Sequence, residues 1–442
     1  LALSGKPAGI EEADVVDLAH DGRGIARASG KAIFIDGALP GERVRYRVTK
    51  RRRQLDEAVL IEVLTPSPDR TVPKCAHFGV CGGCSLQHLS PAAQLAAKER
   101  QLLDNLERIG RVRPPRVFAP VIGAHFAYRR RARLGVKYVH KKGRVLAGFR
   151  ERAKPYLADL KRCEILIERF ATLPADLAAL VDTLSVRERV PQVEVAAGDE
   201  RAALTFRVMQ APDPLDLRKL EAFGDRLGVD IYLQTGGLET IRPMKDGPEE
   251  RPAPLQYAVD DGRITLDFGP SDFIQVNREV NLAMVEAAVR HLDPTPRDSV
   301  LDLFCGLGNF TLALGRRAGG VVGVEGDEGL VARARANASA NGVAAEFVVD
   351  DLFEPRGFRP WAEKPYDLVL LDPPRAGALA IVERMPQWSP RRVVYISCHP
   401  GSLARDTAVL VAHGFQLAGA GVMDMFPHTT HVESIAVFEK SA

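Results

Sequence analysis

Charged and apolar residues alternate near the front of the chain. In Arg43-Val44-Arg45-Tyr46-Arg47-Val48 every second position is apolar, the period of a half-buried strand. Val15-Val16-Asp17-Leu18, Gly30-Lys31-Ala32-Ile33-Phe34-Ile35 and Ala58-Val59-Leu60-Ile61-Glu62-Val63-Leu64 read as further short strands. Asp21-Gly22-Arg23-Gly24-Ile25-Ala26-Arg27 reads as a turn before the second, and Ala38-Leu39-Pro40-Gly41-Glu42 as a break before the basic one. Short strands at this spacing predict a small OB-like β-barrel over residues 1–68.

Further on the pattern changes. Residues 69–258 mix strand periods, as in 193–196 and 203–208, with a helical stretch over 213–227, which predicts a central α/β domain. Residues 243–254 read as an exposed connector. From 259 to 442, apolar runs such as Ser299-Val300-Leu301-Asp302-Leu303-Phe304, Gly320-Val321-Val322-Gly323-Val324-Glu325 and Tyr366-Asp367-Leu368-Val369-Leu370-Leu371 alternate with helical segments. That alternation predicts a Rossmann-like, doubly wound α/β domain.

A chain of 442 residues fits two or three domains, and 46% hydrophobic content is that of a globular protein. Without an apolar run of the roughly 20 residues a membrane span needs, and without a signal-peptide core in residues 1–14, the expected location is cytoplasmic. A net charge of +3 conceals a basic front, residues 1–170, and an acidic remainder. Such asymmetry predicts a polyanionic partner. Lys50-Arg51-Arg52-Arg53, Tyr128-Arg129-Arg130-Arg131-Ala132-Arg133 and Lys137-Tyr138-Val139-His140-Lys141-Lys142 concentrate the charge, with tyrosines between for stacking, so RNA is the expected ligand. A solvated charged face is the competing reading of any one run.

Six cysteines fall into two groups. Cys75, Cys81 and Cys84 form C-x5-C-G-G-C, with Cys163 downstream; Cys305 and Cys398 lie in the rear. In a cytoplasmic chain, clustered cysteines point to metal ligation rather than disulfides. One close pair, one offset cysteine and one distant one suit a [4Fe–4S] cluster, leaving zinc and unligated core cysteines as alternatives.

The first rear strand runs into Cys305-Gly306-Leu307-Gly308-Asn309-Phe310-Thr311, a glycine loop that lets a cofactor approach the backbone. Thr311 stands where the dinucleotide fingerprint requires its third glycine, which argues against NAD or FAD. Glu325 ends the next strand, placed for ribose hydroxyls, and Asp350-Asp351 ends the third, near an adenine. These features fit S-adenosylmethionine. In Asp372-Pro373-Pro374-Arg375, arginine replaces the aromatic of amino-methylating enzymes, so carbon is the expected methyl acceptor. Uracil C5 is too weak a nucleophile unaided; a thiolate added at C6 activates it and a base then removes the C5 proton. Cys398, after Val393-Val394-Tyr395-Ile396-Ser397, supplies the thiolate, and Glu433 is the candidate base.

The order Gly-x-Gly-Ile-Ala-Arg, Gly-Lys, Ala-Leu-Pro-Gly-Glu resembles the TRAM domain of RNA-modifying enzymes. Phe273-Ile274-Gln275-Val276-Asn277, the 302–311 loop, the Asp372 loop, Tyr395-Ile396-Ser397-Cys398 and the 423–433 segment ending in His431-Val432-Glu433 occur in the order of the RNA 5-methyluridine methyltransferase family. The chain is similar to the TRAM-bearing, iron–sulfur-containing members that act on 23S ribosomal RNA. The resemblance implies cofactor contacts from Gln275, Phe304, Asn309, Glu325, Asp351 and Asp372, nucleophile Cys398, base Glu433, and a [4Fe–4S] cluster on Cys75, Cys81, Cys84 and Cys163. It implies methylation of a 23S uridine of the 1939 type by a monomer with no membrane contact. Transfer RNA as substrate, an inactive RNA-binding or ribosome-assembly factor, and a DNA cytosine-5 enzyme are the alternatives. One departure stands out: the family has Asn after the nucleophile and Thr three residues on, where this chain has His399 and Ser402. An imidazole there either raises the thiolate fraction of Cys398 or alters how its loop is held.

Overall fold

The computed structural model describes residues 9–28, 30–245, 252–354 and 359–440, and its contacts gather into two compact units. The first is built on the chain up to Lys98 and includes Arg150–Tyr156 and Phe426–Thr430. Its strands β1 (Ile10–Leu18), β2 (Gly24–Ala28), β3 (Lys31–Asp36), β4 (Arg43–Arg51) and β5 (Leu55–Thr65) close into a barrel in the order β1-β2-β3-β5-β4. β3 and β5 run parallel and the other pairs antiparallel, the connectivity of an OB-like barrel. β4 alternates as its sequence does. Val44, Tyr46 and Val48 join Val15, Ala26, Ile33, Ile35 and Ala58 in the barrel core, while Arg43, Arg45 and Arg47 face out.

The turn expected over 21–27 is corrected by the structure, because its second part is strand β2. A Cβ on Gly24 would lie 2.7 Å from the Ala38 carbonyl oxygen, so this glycine serves a close approach of two backbones inside a strand. The basic face also differs from a bare phosphate-binding stripe. Arg43 and Arg45 meet Glu12, Arg45 also meets Glu62, Arg51 meets Glu11 and Asp56, and Arg52 meets Glu57. Such exposed pairs are screened by solvent and order side chains more than they stabilise the barrel. Arg47, Lys50 and Arg53 are exposed and have no carboxylate partner among the described residues.

The segment 66–90 between β5 and α1 (Pro91–Arg108) is held without long strands or helices. Gly82 N–H donates to the Arg150 carbonyl at 2.8 Å, and Ser85 and Leu86 N–H both donate to the His428 carbonyl. An isolated bridge pairs Cys81 with Glu151.

In the second unit, β6 (Arg131–Val139), β7 (Arg144–Gly148), β8 (Gln192–Ala197), β9 (Ala202–Arg207), β10 (Asp230–Gln234) and β11 (Arg242–Pro243) form a sheet in the order β11-β10-β9-β8-β6-β7. Helices α2 (Leu173–Asp182) and α3 (Pro214–Leu227) belong to the same stretch of chain. α3 begins where the Asp213 carboxylate accepts the N–H groups of Leu215 and Asp216, and stops at Gly228 with φ 62°. The connector expected at 243–254 lies in part outside the described residues.

The hairpin β12 (Leu255–Val259) and β13 (Ile264–Phe268) and helix α4 (Arg278–Leu292) lead into a seven-stranded sheet. Its strands are β14 (Ser299–Leu303), β15 (Gly320–Glu325), β16 (Glu346–Val349), β17 (Leu368–Leu371), β18 (Arg392–Ser397), β19 (Phe415–Met423) and β20 (Glu433–Lys440). The intervening helices are α5 (Thr311–Gly315), α6 (Glu328–Ala340), α7 (Leu379–Val382), α8 (Met385–Trp388) and α9 (Pro400–Ala412). The strand order is β16-β15-β14-β17-β18-β20-β19, all parallel except β20. β17 and most of β14 and β18 are fully buried, which is why they read as unbroken apolar runs. β15 lies on one side of β14 and β17 on the other, so the order reverses there and opens a crevice at the carboxyl ends.

Two details complete this unit. The edge strand β19 is covered by the chain at 116–122: Phe118 N–H donates to the Ala420 carbonyl (2.8 Å) and Val121 N–H to that of Val422 (3.0 Å). The basic run 128–133 does not form the continuous RNA-facing stripe the sequence suggests, since Tyr128 and Arg130 are buried. Arg130 Nε donates to the Gln275 carbonyl and Nη1 to Asp199, with the guanidinium 4.8 Å from the Tyr257 ring centroid. Arg131 donates to the carbonyls of Pro270 and Ser271. Desolvated guanidinium groups here tie β6 to the segment entering α4.

Candidate active site

Six of the eight residues expected to bind the donor or carry the chemistry stand at the carboxyl ends of the parallel strands of the seven-stranded sheet or in the turns directly after them. The other two are Gln275, which lies two residues before the α4 cap Asn277, and Glu433, which opens the antiparallel β20.

The glycine loop follows β14. Phe304 sits at φ 66°, a left-handed conformation that a bulky residue adopts only under constraint, and its ring lies 5.7 Å from that of Phe353. Gly306, at φ 57°, has nothing within 4 Å of where a Cβ would be, so the backbone borders open space. Its N–H donates to Glu325 Oε2 at 3.1 Å, while Gly326 and Asp327 N–H donate to Oε1. Glu325 is thereby fixed in orientation at the end of β15. Of the acidic pair after β16, Asp350 is occupied by Trp361 Nε1 and Arg359, whereas Asp351 accepts the Phe353 and Glu354 N–H groups through Oδ1 only. Asp351 is the member left with an oxygen for a ligand.

Asn309 is placed differently from a simple cofactor contact. Its amide forms a reciprocal pair with Asn281 on α4 (3.1 and 3.0 Å), and its Oδ1 also accepts the Tyr257 hydroxyl at 3.0 Å. Only one of its N–H groups remains for a cofactor. Asn281 and Tyr257 carried no motif, and sequence reasoning passed over them. Asp302 also emerges only from the structure: Thr311 Oγ1 donates to its Oδ2 at 2.5 Å, and its buried Oδ1 has no partner. Burial pushes its carboxyl up to about 7 against that hydrogen bond, with Asp372 and Glu325 adding repulsion.

The reacting trio is set by strand register. Ser397, the last residue of β18, pairs with Ser434 on β20, so the next residue along one strand end, Cys398, and the first residue of the other, Glu433, come close enough for the Glu433 charge to act on the thiol. Asp372 follows β17, whose Leu371 pairs with Tyr395. Burial, then Glu433 and Asp372, push the Cys398 thiol up to about 11. Burial and Asp372 push Glu433 up to about 8, and burial pushes Asp372 up to about 7. Near pH 7 Cys398 and Glu433 therefore favour their neutral forms while Asp372 is divided between its two, and a positive charge brought among them favours the ionised forms.

The loop of Asp372 is locked from below. Asp406 Oδ2 accepts the Ala378 N–H and the Tyr395 hydroxyl, both at 2.7 Å, and Arg405 Nε donates to Oδ1. Gly377, at φ 81°, passes where a Cβ would meet Asp406, Arg405 and Ser402 within 2.9 Å.

Among the described residues none of the six cysteines takes part in a disulfide. Cys75, Cys81 and Cys84 belong to the first unit and Cys163, buried, to the second. Gly83 N–H donates to Cys81 Sγ at 3.4 Å, and both ring nitrogens of the buried His88, whose ring lies 5.2 Å from Phe78, lack partners. Among the described residues no group of three or more His, Cys, Asp or Glu is gathered as a metal site, and no helix is long and apolar enough to cross a membrane.

Comparison with known proteins adds the context. Residues 255–441 match the tRNA (uracil-5-)-methyltransferase family model, and residues 10–61 match the TRAM domain. The chain is 49% identical to the 23S rRNA (uracil(1939)-C(5))-methyltransferase RlmD of Methylococcus capsulatus over 98% of both chains. It is also 49% identical to the enzyme of that name from Alkalilimnicola ehrlichii, over 98% of this chain and 97% of that one. The crystal structure of Pyrococcus abyssi tRNA (uracil-54, C5)-methyltransferase in complex with S-adenosyl-L-homocysteine superposes with TM-score 0.73 and 24% identity, covering 97% of this chain and 100% of that one.

Proposed function

The chain belongs to the RNA uracil-5-methyltransferase family, and on that premise we propose that it methylates C5 of a uridine in 23S ribosomal RNA, at the position its relatives' names number 1939. The observation that supports this reading is that Cys398 lies within electrostatic reach of both Glu433 and Asp372 where β18 and β20 pair through Ser397 and Ser434.

S-adenosylmethionine, when bound, supplies an electrophilic methyl group on a positively charged sulfur. The residues fit it: Asp302, Glu325 and Asp372 make the crevice acidic, and Gly306 leaves the backbone open. Gln275, Phe304, Asn309, Glu325, Asp351 and Asp372 would hold it. Cys398 Sγ, once deprotonated, adds to C6 of the uracil and forms the C–S bond, driving the C5=C6 electrons toward the C4 carbonyl as an enolate. C5 then carries the nucleophilic pair and takes the methyl group. The Glu433 carboxylate removes the C5 proton, the C5=C6 bond re-forms and the C–S bond breaks, returning Cys398 as thiolate. Asp372 faces the base edge, where its carboxyl exchanges hydrogen bonds with the ring.

The RNA is held, in this reading, by the barrel cations that lack carboxylate partners, Arg47, Lys50 and Arg53, and by Lys137 and Lys141 on the second unit. A cytoplasmic setting accords with ribosomal RNA as substrate. Labelled methyl from S-adenosylmethionine is expected in 5-methyluridine of unmodified 23S RNA and not in transfer RNA. Label in transfer RNA alone would reassign the substrate, and label in neither would leave an RNA-binding factor.

The [4Fe–4S] assignment to Cys75, Cys81, Cys84 and Cys163 is part of the same proposal. It is supported by donor chemistry: three thiols on one glycine-containing loop, with a backbone N–H donating to Cys81 sulfur. Anaerobically purified protein is expected to contain about four irons per chain, and Cys81→Ala to lose them. Stoichiometric zinc without iron would replace this assignment.

A further inference from the structure

His399 and Ser402, where the sequence departs from the pattern it resembles, both make contacts at the start of the helix after Cys398. α9 begins immediately after the nucleophile, with His399 as its N-cap, Pro400 first, Gly401 second and Ser402 third. His399 Nδ1 accepts the Ser402 backbone N–H at 3.1 Å. A backbone amide can only donate, so Nδ1 is the acceptor nitrogen and the ring proton sits on Nε2. The imidazole therefore stands in for the side-chain oxygen of Asn as a cap, and its Nδ1 is engaged away from the Cys398 thiol. Burial, then Arg375 and Arg405, hold its pKa below the ordinary value, which keeps this nitrogen an acceptor.

Ser402 extends the device. Its Oγ lies 3.2 Å from the Arg375 carbonyl, 3.0 Å from the His399 carbonyl and 3.3 Å from His399 Nδ1. One hydroxyl thus joins the cap to the loop that bears Asp372. On the strand side Ser397 Oγ contacts both N and O of His399 at 3.2 Å. Cys398 is the residue between these two anchors.

Gly401 is the third member. A Cβ there would lie 3.0 Å from His399 Cε1 and 3.5 Å from Nδ1. That approach is tighter than ordinary van der Waals contact, so a side chain at 401 would push the ring by a few tenths of an ångström, whereas asparagine has no atom at the Cε1 position.

We propose that His399, Gly401 and Ser402 form one positioning unit, in which the imidazole caps α9 and, through Ser402, holds the Cys398 turn against the Asp372 loop. The inference rests on Cys398 being the nucleophile. Misplacing a reacting sulfur by a fraction of an ångström acts on turnover more than on binding.

The test is a cycle of Gly401→Ala, His399→Asn and the double variant, assayed for methyl transfer to 23S RNA. Gly401→Ala is expected to lower kcat about tenfold with both KM values within about twofold, the scale of a lost cap expressed in the rate. In the His399→Asn background the same alanine is expected to cost less than about twofold. His399→Phe, which keeps the bulk and removes the acceptor, is expected to lose kcat as Gly401→Ala does, and it serves if that variant does not fold. Equal losses from Gly401→Ala in both backgrounds, or none in either, would overturn the unit, as would a fully active His399→Phe enzyme. Methyl transfer surviving Cys398→Ala would instead remove the reading beneath it, and would be seen in that variant alone.

Discussion

Cys398→Ala is expected to abolish methyl transfer, by on the order of 10^4-fold or more for loss of a covalent nucleophile, with S-adenosylmethionine and RNA binding retained. The separation follows from the layout. Most of the residues proposed to hold the donor end or follow β14, β15 and β16, whereas the sulfur follows β18, two strands from β14. Removing a partly buried, neutral thiol from a turn leaves no unpaired charge and little cavity. Transfer assays with equilibrium binding of each substrate check this, and an alanine variant that still methylates would eliminate the covalent route.

The environment of the sulfur adds a pH dependence to that expectation. Alkylation follows the thiolate, and burial with two nearby carboxyls raises the thiol to about 11. Iodoacetamide modification of free enzyme, taken as the difference between wild type and Cys398→Ala, is therefore expected to climb with pH well beyond the ordinary thiol range of about 8–9. Glu433→Gln removes a neighbour that is negative above about 8 and lowers the midpoint. A wild-type midpoint below the ordinary thiol range would mean that the protein activates the sulfur before either substrate binds.

Glu433→Gln is expected to stall the enzyme after methylation. The amide is close in size and accepts no proton, so C5 keeps its hydrogen, the C5=C6 bond cannot re-form and Cys398 stays bonded to C6. Turnover falls by about 10^2- to 10^4-fold, the usual contribution of a positioned base, and a methylated RNA–protein adduct that survives denaturation accumulates. Gel retardation of labelled RNA after denaturation, lost on adding Cys398→Ala, reads it directly. Release of 5-methyluridine at the wild-type rate would assign the proton to another acceptor.

How much of this was legible beforehand depends on the range of the interaction. Alternation in β4 and continuous apolar runs in β14 and β17 are local consequences of which faces are buried, so barrel and parallel sheet could be read directly. β2 was mistaken for a turn because Gly24 looks the same whether it bends a chain or lets another backbone approach, and only Ala38 decides between them. Charge runs misled for a related reason. Lysine and arginine register as a stripe in sequence, but burial turned Arg130 into a staple and acidic neighbours on β1 and β5 took up Arg43, Arg45, Arg51 and Arg52.

The amino-acid sequence by itself determined the chemistry: a thiol after a strand, a glycine loop without its third glycine, carboxylates at strand ends and a basic front. Those are properties of residue type and spacing, fixed before the chain folds. Tertiary structure alone decided which groups meet. Cys398 and Glu433 come within electrostatic reach because β20 returns antiparallel beside β18, Asn309 is turned toward Asn281 and Tyr257, and His399 caps a helix. Each of those outcomes depends on partners distant in sequence or on the angle of one ring, and periodicity carries neither.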